Sequence, residues 1–145
     1  MGPKSVIVLD TNVISELAKS VSNVAVMAWA GSQRSAEMHA TAISEAEILF
    51  GISLLPDSRR RRDLERAARE MFEKVLKGRV LPFDRAAAES FASIASARRR
   101  SGRPTGKADL QIAAIARARN ARLIATRNVA DFTGTGTPLV NPWGT

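Results

Sequence analysis

The chain has 145 residues, 22 basic against 14 acidic side chains, a formal charge of +8 and no cysteine. That length suits a single domain over 1–145 with a self-sufficient core, and the missing cysteine excludes disulfides, thiolate nucleophiles and zinc–sulfur sites. No stretch is apolar for long enough to span a membrane, nothing resembles a signal peptide, and Gly2 followed by Pro3 does not make a myristoylation site, so a soluble cytoplasmic protein is expected.

Val6-Ile7-Val8-Leu9 reads as a strand buried on both faces. It ends abruptly in Asp10-Thr11-Asn12, and the apolar spacing of Val13, Ile14 and Leu17 predicts a helix at once. Asp10 reads two ways: as a turn or cap residue, or as a ligand-crevice acid at the carboxyl end of a parallel strand. Asn23–Ala30 is weakly helical, with Trp29 as a core anchor. Glu37–Ile43 predicts a second strand carrying His39, the only histidine, which is read as structural.

Ser44 is expected to open a helix running through Ile52. Glu45 and Glu47, two apart, project from nearly opposite sides, so only one can face a shared site. Glu47 lies one turn before Gly51, whose missing side chain would let another backbone approach that face. The competing account of Glu47 is a capping box with Ser44 as N-cap.

Leu54-Leu55-Pro56-Asp57 breaks the chain, and Ser58 caps an arginine-rich helix predicted to reach about Leu76. Val80-Leu81-Pro82-Phe83 is a short strand whose proline argues for an edge. Asp84 caps a small-residue helix, Ala86–Ala97, whose alanines suggest close helix packing. Its end, Arg98-Arg99-Arg100 with Arg103, matches a first cluster at Arg59–Arg62. Each cluster reads either as a solvated helix face or as a phosphate grip; for the total charge, nucleic acid or an acidic protein is the better partner. After the loop Ser101–Gly106, an apolar helix from Lys107 carries Asp109 in its first turn, where the helix dipole alone would favour an acid. Leu123-Ile124-Ala125-Thr126 is another buried parallel strand, followed by Asn128 and Asp131, and Leu139-Val140 begins a last short strand before Trp143.

This order of elements predicts an α/β three-layer α/β/α sandwich with a mainly parallel sheet, the strands' carboxyl ends meeting at one edge. Asp10, Asn128 and Asp131 follow strand ends, while Glu47 and Asp109 sit on helices leaving the same side. Two unit charges about 4 Å apart repel by roughly 4 kcal/mol at an effective dielectric near 20. Converging carboxylates therefore share a proton or hold a cation. With oxygen ligands only, the matching ions are Mg²⁺ or Mn²⁺, as used in phosphoryl chemistry.

Ile7–Asn12, Ala46–Ile52, Ala108–Ala114 and Thr126–Phe132 resemble, in order, the four motif regions of PIN-domain ribonucleases. More narrowly, with Leu81-Pro82-Phe83-Asp84 and Val140-Asn141-Pro142-Trp143, the chain resembles the VapC toxins of bacterial toxin–antitoxin pairs, in the branch containing FitB. The resemblance implies a Mg²⁺- or Mn²⁺-dependent endoribonuclease, a homodimer, cleaving RNA and inhibited by a VapB-like antitoxin whose complex with the toxin binds promoter DNA. Carried over by position, Asp10, Glu47 and Asp109 match the three acidic metal-site residues: Asp10 and Asp109 would hold the first metal, and Glu47 would complete the site or help activate water. At the fourth acidic position this chain has Asn128; either its amide or Asp131 would serve there. Thr11 and Asn12 would orient Asp10, and Thr126 would line the pocket. A haloacid-dehalogenase-type phosphate-transfer enzyme also starts on a strand ending in Asp, but needs an acid where Asn12 stands. The alternative from another class is a PIN-fold regulator that binds antitoxin and DNA with little or no catalysis.

Overall fold

The computed structural model describes residues 5–103 and 105–144; the Gly2-Pro3 reading and the Pro104 position of the predicted loop lie outside them. A five-stranded sheet runs β3-β2-β1-β4-β5 from edge to edge, built from β1 (Ile7–Leu9), β2 (Met38–Thr41), β3 (Val80–Leu81), β4 (Leu123–Ala125) and β5 (Leu139–Val140). Every pairing is parallel, with Ile7 opposite Met38 on one side and Leu123 on the other. The chain winds outward from β1 through β2 to β3, then crosses back to β4 and β5. The direction of winding therefore reverses between β1 and β4, which is where open α/β sheets form a crevice outside the strands' carboxyl ends.

Side chains of β1 alternate between two cores, because successive residues of a strand point to opposite faces. Val8, with Ile124 from β4, faces α5 (Arg85–Arg100), α6 (Lys107–Ala118) and the short α7 (Val129–Phe132). Ile7 and Leu9 face the other layer, α1 (Thr11–Ala18), α2 (Val24–Ser32), α3 (Ala42–Ser53) and α4 (Arg59–Glu70). Ile7, Val8 and Leu9 are wholly buried, and each such side chain contributes roughly 1.5–3 kcal/mol. The expected three-layer sandwich is the one formed.

Local departures have local causes. The second strand stops at Thr41, and Ala42-Ile43, expected as strand, begin α3. Thr41 rather than Ser44 caps that helix, its Oγ1 accepting the Ser44 N–H at 3.1 Å. The capping-box account of Glu47 therefore falls, because Glu47 lies in the second turn. The arginine-rich helix is α-helical only to Glu70; a wide turn over Met71–Val75 follows, with Leu76 N–H bonded to Met71 O at 2.9 Å. That five-residue step turns both Met71 and Phe72 inward, with Leu76 behind them. Ser58 and Asp84 cap α4 and α5 as expected. Trp29 is half-buried against the core, and Val26 is the wholly buried anchor of α2. No helix among the described residues is long and apolar enough to cross a membrane.

Candidate active site

Asp10 ends the central strand and is 2% exposed. It caps α1, its Oδ1 accepting the Thr11 N–H at 2.8 Å. Its other oxygen, Oδ2, accepts the Thr126 hydroxyl at 2.7 Å. Cap and pocket acid are thus both descriptions of one carboxylate. The Asp10 backbone N–H bonds Ala125 O at 2.9 Å and Thr126 N–H bonds Val140 O at 2.9 Å, so parallel pairing itself sets the two side chains next to each other. Thr126 Oγ1, its single proton given to Asp10, accepts the Asn128 N–H at 2.9 Å.

Glu47 reaches the same edge from the second turn of α3. Thr11 Oγ1 lies 2.7 Å from Glu47 Oε1 and 2.9 Å from Ser44 Oγ. A threonine hydroxyl has one proton; given to the carboxylate, it leaves the oxygen to accept from Ser44. Ser44, wholly buried between Thr11 and Thr41, was not foreseen as part of the site. Of the pair expected to orient Asp10, Thr11 touches it only through its backbone N–H, while Asn12 Oδ1 accepts the Arg127 N–H at 3.4 Å.

Asp109, half-exposed at the start of α6, completes the approach. Its carboxyl is pushed up to about 6 by burial, then by the negative charges of Asp10, Asp131 and Glu47 and by a hydrogen bond shared with Asp131. Burial also raises the Asp10 carboxyl; the Thr126 hydroxyl and Thr11 N–H oppose that shift, and the charges of Glu47 and Asp131 add to it. Asp10, just past β1, and Asp109 on α6 therefore each feel the charges of Glu47 on α3 and Asp131 on α7. Asn128 differs: its contact with this network is through the backbone N–H, and its side chain makes no cap bond to α7.

Among the described residues no lysine or arginine lies within ion-pair distance of these four acids. Nor, among the described residues, do three of them stand as a closed metal-binding cluster. Coupled through their charges and without a paired cation, they offer oxygen donors only. Such a donor set fits a hard divalent cation, with Asp10, Asp109 and Glu47 to hold it and water to fill the remaining positions.

Beside the pocket, a groove of about 330 Å³ runs between α1, α3 and α4. Thr11 and Glu47 stand at its acidic end, and Ile14, Ile48, Gly51 and Met71 line its apolar length. Among the described residues nothing crowds Gly51: a Cβ there would meet no atom within 4 Å. The backbone approach expected at Gly51 is thus replaced by open space.

The second arginine cluster divides. Arg99 and Arg100 are exposed, whereas Arg98 is 7% exposed, donates from its guanidinium to the Asp131 backbone oxygen, and leaves Nε without a partner. The signal that could have found it is its spacing: Ala87, Ile94 and Arg98 recur on the buried stripe of α5.

A family model described as the PIN domain matches residues 7–133. The chain is 41% identical to the VapC ribonuclease Y4jK of Sinorhizobium fredii over 94% of its own length and 97% of that protein's. It is 34% identical to Toxin FitB of Neisseria gonorrhoeae, over 94% and 98% of the two chains. A solved structure of FitAB bound to a DNA fragment superposes with a TM-score of 0.83 at 33% identity, over 96% of each chain.

Proposed function

This chain belongs to the PIN-domain family, and on that premise we propose that it is the toxin of a toxin–antitoxin pair, a Mg²⁺- or Mn²⁺-dependent endoribonuclease acting in the cytoplasm. The observation that carries the reading is the convergence of Asp10, Glu47, Asp109 and Asp131 on one uncompensated pocket in a protein of charge +8. A basic surface attracts a polyanion, and an acidic pocket within it suits hydrolysis of that polyanion rather than storage.

Asp10 and Asp109 would hold the cation, with Glu47 completing the set and Asp131, better placed than Asn128, as the fourth acid. When bound, the ion would lower the pKa of water and neutralise charge on the phosphodiester. The chain's own contribution is positional. Thr126 and the Thr11 N–H keep Asp10 in one rotamer. Glu47, exposed and held by Thr11, would serve either to complete the cation's ligands or to take the proton of an attacking water as the P–O bond forms and the ribose oxygen leaves with a proton from solvent.

We propose a VapB-like antitoxin as the inhibitor, its apolar segment in the α1–α3–α4 groove and a basic side chain reaching Glu47 and the acids beyond. The Glu47 carboxylate in the groove lining supports that orientation. Promoter DNA would be bound by the toxin–antitoxin complex, as supported by the DNA-bound FitAB structure. Homodimer formation is supported by an apolar strip at the end of α3, where Leu49, Phe50 and the C-cap Leu54 are exposed.

Titration of Mg²⁺ and Mn²⁺ into the antitoxin-free protein, with an Asp10→Ala, Asp109→Ala double variant alongside, tests the reading. Calorimetric heat and cleavage of total cellular RNA should both appear in the wild type and vanish together in the variant. The open arrangement of the acids and the asparagine at 128 favour one rival, a regulator acting through antitoxin and DNA alone. Absence of metal binding and of cleavage in the wild type would establish that rival instead.

A further inference from the structure

Arg127 follows Thr126 directly, so its Cα stands one residue from the hydroxyl that bonds Asp10. Its backbone is tied to α1 through the Asn12 Oδ1 contact. Its guanidinium lies over the Trp143 ring, 4.8 Å from the centroid. Trp143 is itself half-buried against the α1–α4 core and bonded through its backbone N–H to Asn141 Oδ1 at 2.9 Å, so the platform is fixed. Among the described residues no acceptor meets the guanidinium: it has no ion pair and no side-chain hydrogen bond, although the residue is exposed. The nearest acid on α1, Glu16, is already engaged by the Asn23 N–H at 3.0 Å and by Lys19 at 3.2 Å. The charge of Arg127 still reaches it, adding to those two bonds in holding the Glu16 carboxyl below its usual range.

A guanidinium held over an aromatic ring by cation–π attraction spends none of its N–H donors, and their fork matches two oxygens of a phosphodiester. Stacking also removes rotamer freedom before the ligand arrives, so less is lost on binding. Three arginines of α4 are instead committed to ion pairs: Arg61, Arg62 and Arg66 each face a neighbouring acid. Arg127 is thus a held, unpaired cation on the residue that follows Thr126, whose hydroxyl bonds Asp10.

We propose that Arg127, held on Trp143, grips the RNA phosphate next to the one that enters the Asp10 pocket, and so sets the register of the strand. This rests on the ribonuclease reading above. The residue binds substrate and takes no part in proton transfer, so its loss should appear in affinity rather than in the chemical step.

The test uses the full chain and a fluorescein-labelled single-stranded RNA. Anisotropy is read in EDTA at several salt concentrations, and cleavage in Mg²⁺. Arg127→Ala should raise Kd and KM about tenfold with kcat nearly unchanged, and should lower the salt slope by about 0.7, the value for one phosphate contact on a single strand. Arg127→Lys should restore the salt slope but not the full affinity. Trp143→Ala should weaken binding about threefold with the slope retained. An Arg127→Ala protein that binds and cleaves as the wild type does would overturn the inference and leave the ribonuclease reading standing. Affinity loss that tracks a fall in melting temperature would also overturn it, making the residue structural. A wild type that neither binds nor cuts RNA would remove both.

Discussion

Thr126 donates its only hydroxyl proton to Asp10 Oδ2 at 2.7 Å, joining residues 116 positions apart in the chain. The contact is wholly buried, and its loss would leave a buried carboxylate oxygen without a donor. Thr126→Val should therefore lower unfolding free energy by about 1–3 kcal/mol, measured by urea denaturation at pH 7.5. In an Asp10→Ala background the same substitution should cost much less, because the acceptor is already gone. Equal costs in both backgrounds would show that the bond carries no net stability.

The pocket makes stability depend on pH with a definite sign. The folded-state pKa of Asp109 is raised to about 6 from an ordinary 3.8. A raised pKa means that the folded state holds the proton more tightly than the unfolded chain does. The resulting stability is full below about pH 4 and is lost as pH rises through about 6. Since Asp109 is half-exposed, solvent screening limits the effect to about 1 kcal/mol, or about 2–4 °C in melting temperature. Metal-free protein should melt higher at pH 5 than at pH 7.5, and Asp109→Asn should flatten the difference. Melting curves that stay parallel for the two proteins would contradict the charge coupling.

Asn128 and Asp131 can be separated by single substitutions. Asp131 shares a hydrogen bond with Asp109, while the contact of Asn128 runs through its backbone and survives truncation of the side chain. Asp131→Ala should reduce RNA cleavage roughly 10²-fold or more. Asn128→Ala should change it less than about threefold. The reverse order in a single-turnover assay would make the amide the fourth ligand.

Gly51 offers a test of the groove that spares the fold. A methyl group there meets nothing, and alanine is the better helix former by up to about 1 kcal/mol, so Gly51→Ala should raise stability. Gly51→Phe should fold as well but fill the groove, lowering antitoxin affinity by more than tenfold while RNA cleavage by free toxin is retained. Asp109→Ala should also weaken the antitoxin if a basic side chain is inserted among the acids. Unchanged affinity there would make inhibition steric.

Much of this was legible before any coordinates. Four apolar residues ending in Asp10 could be little else than a buried parallel strand, and the long apolar run of α6 located Asp109 as firmly. The family was legible too, since four motifs stand in order at sensible spacing. Other features were hidden for physical reasons. Ala42-Ile43 suits strand or helix equally by pattern, and only the Thr41 hydroxyl closing on Ser44 N–H decides the boundary. That boundary in turn decides whether Glu47 is a cap or a pocket acid. The contest between Asn128 and Asp131 depends on one short turn of helix, which periodicity cannot resolve. Arg98 was hidden inside a run of arginines, where composition says surface and only its spacing from Ile94 says interior.

The outermost strands are two residues each, Val80–Leu81 and Leu139–Val140. An edge that short offers almost no ladder for a foreign strand, so neither end of the sheet is a template on which copies of this chain could polymerise. The exposed apolar side chains of α3 and the groove beside α4 lie instead on the helical layers. The same helices also carry the acids, since α3, α6 and α7 bring Glu47, Asp109 and Asp131 to the sheet margin beside Asp10. A partner that covers the helical layers therefore also lies against the pocket.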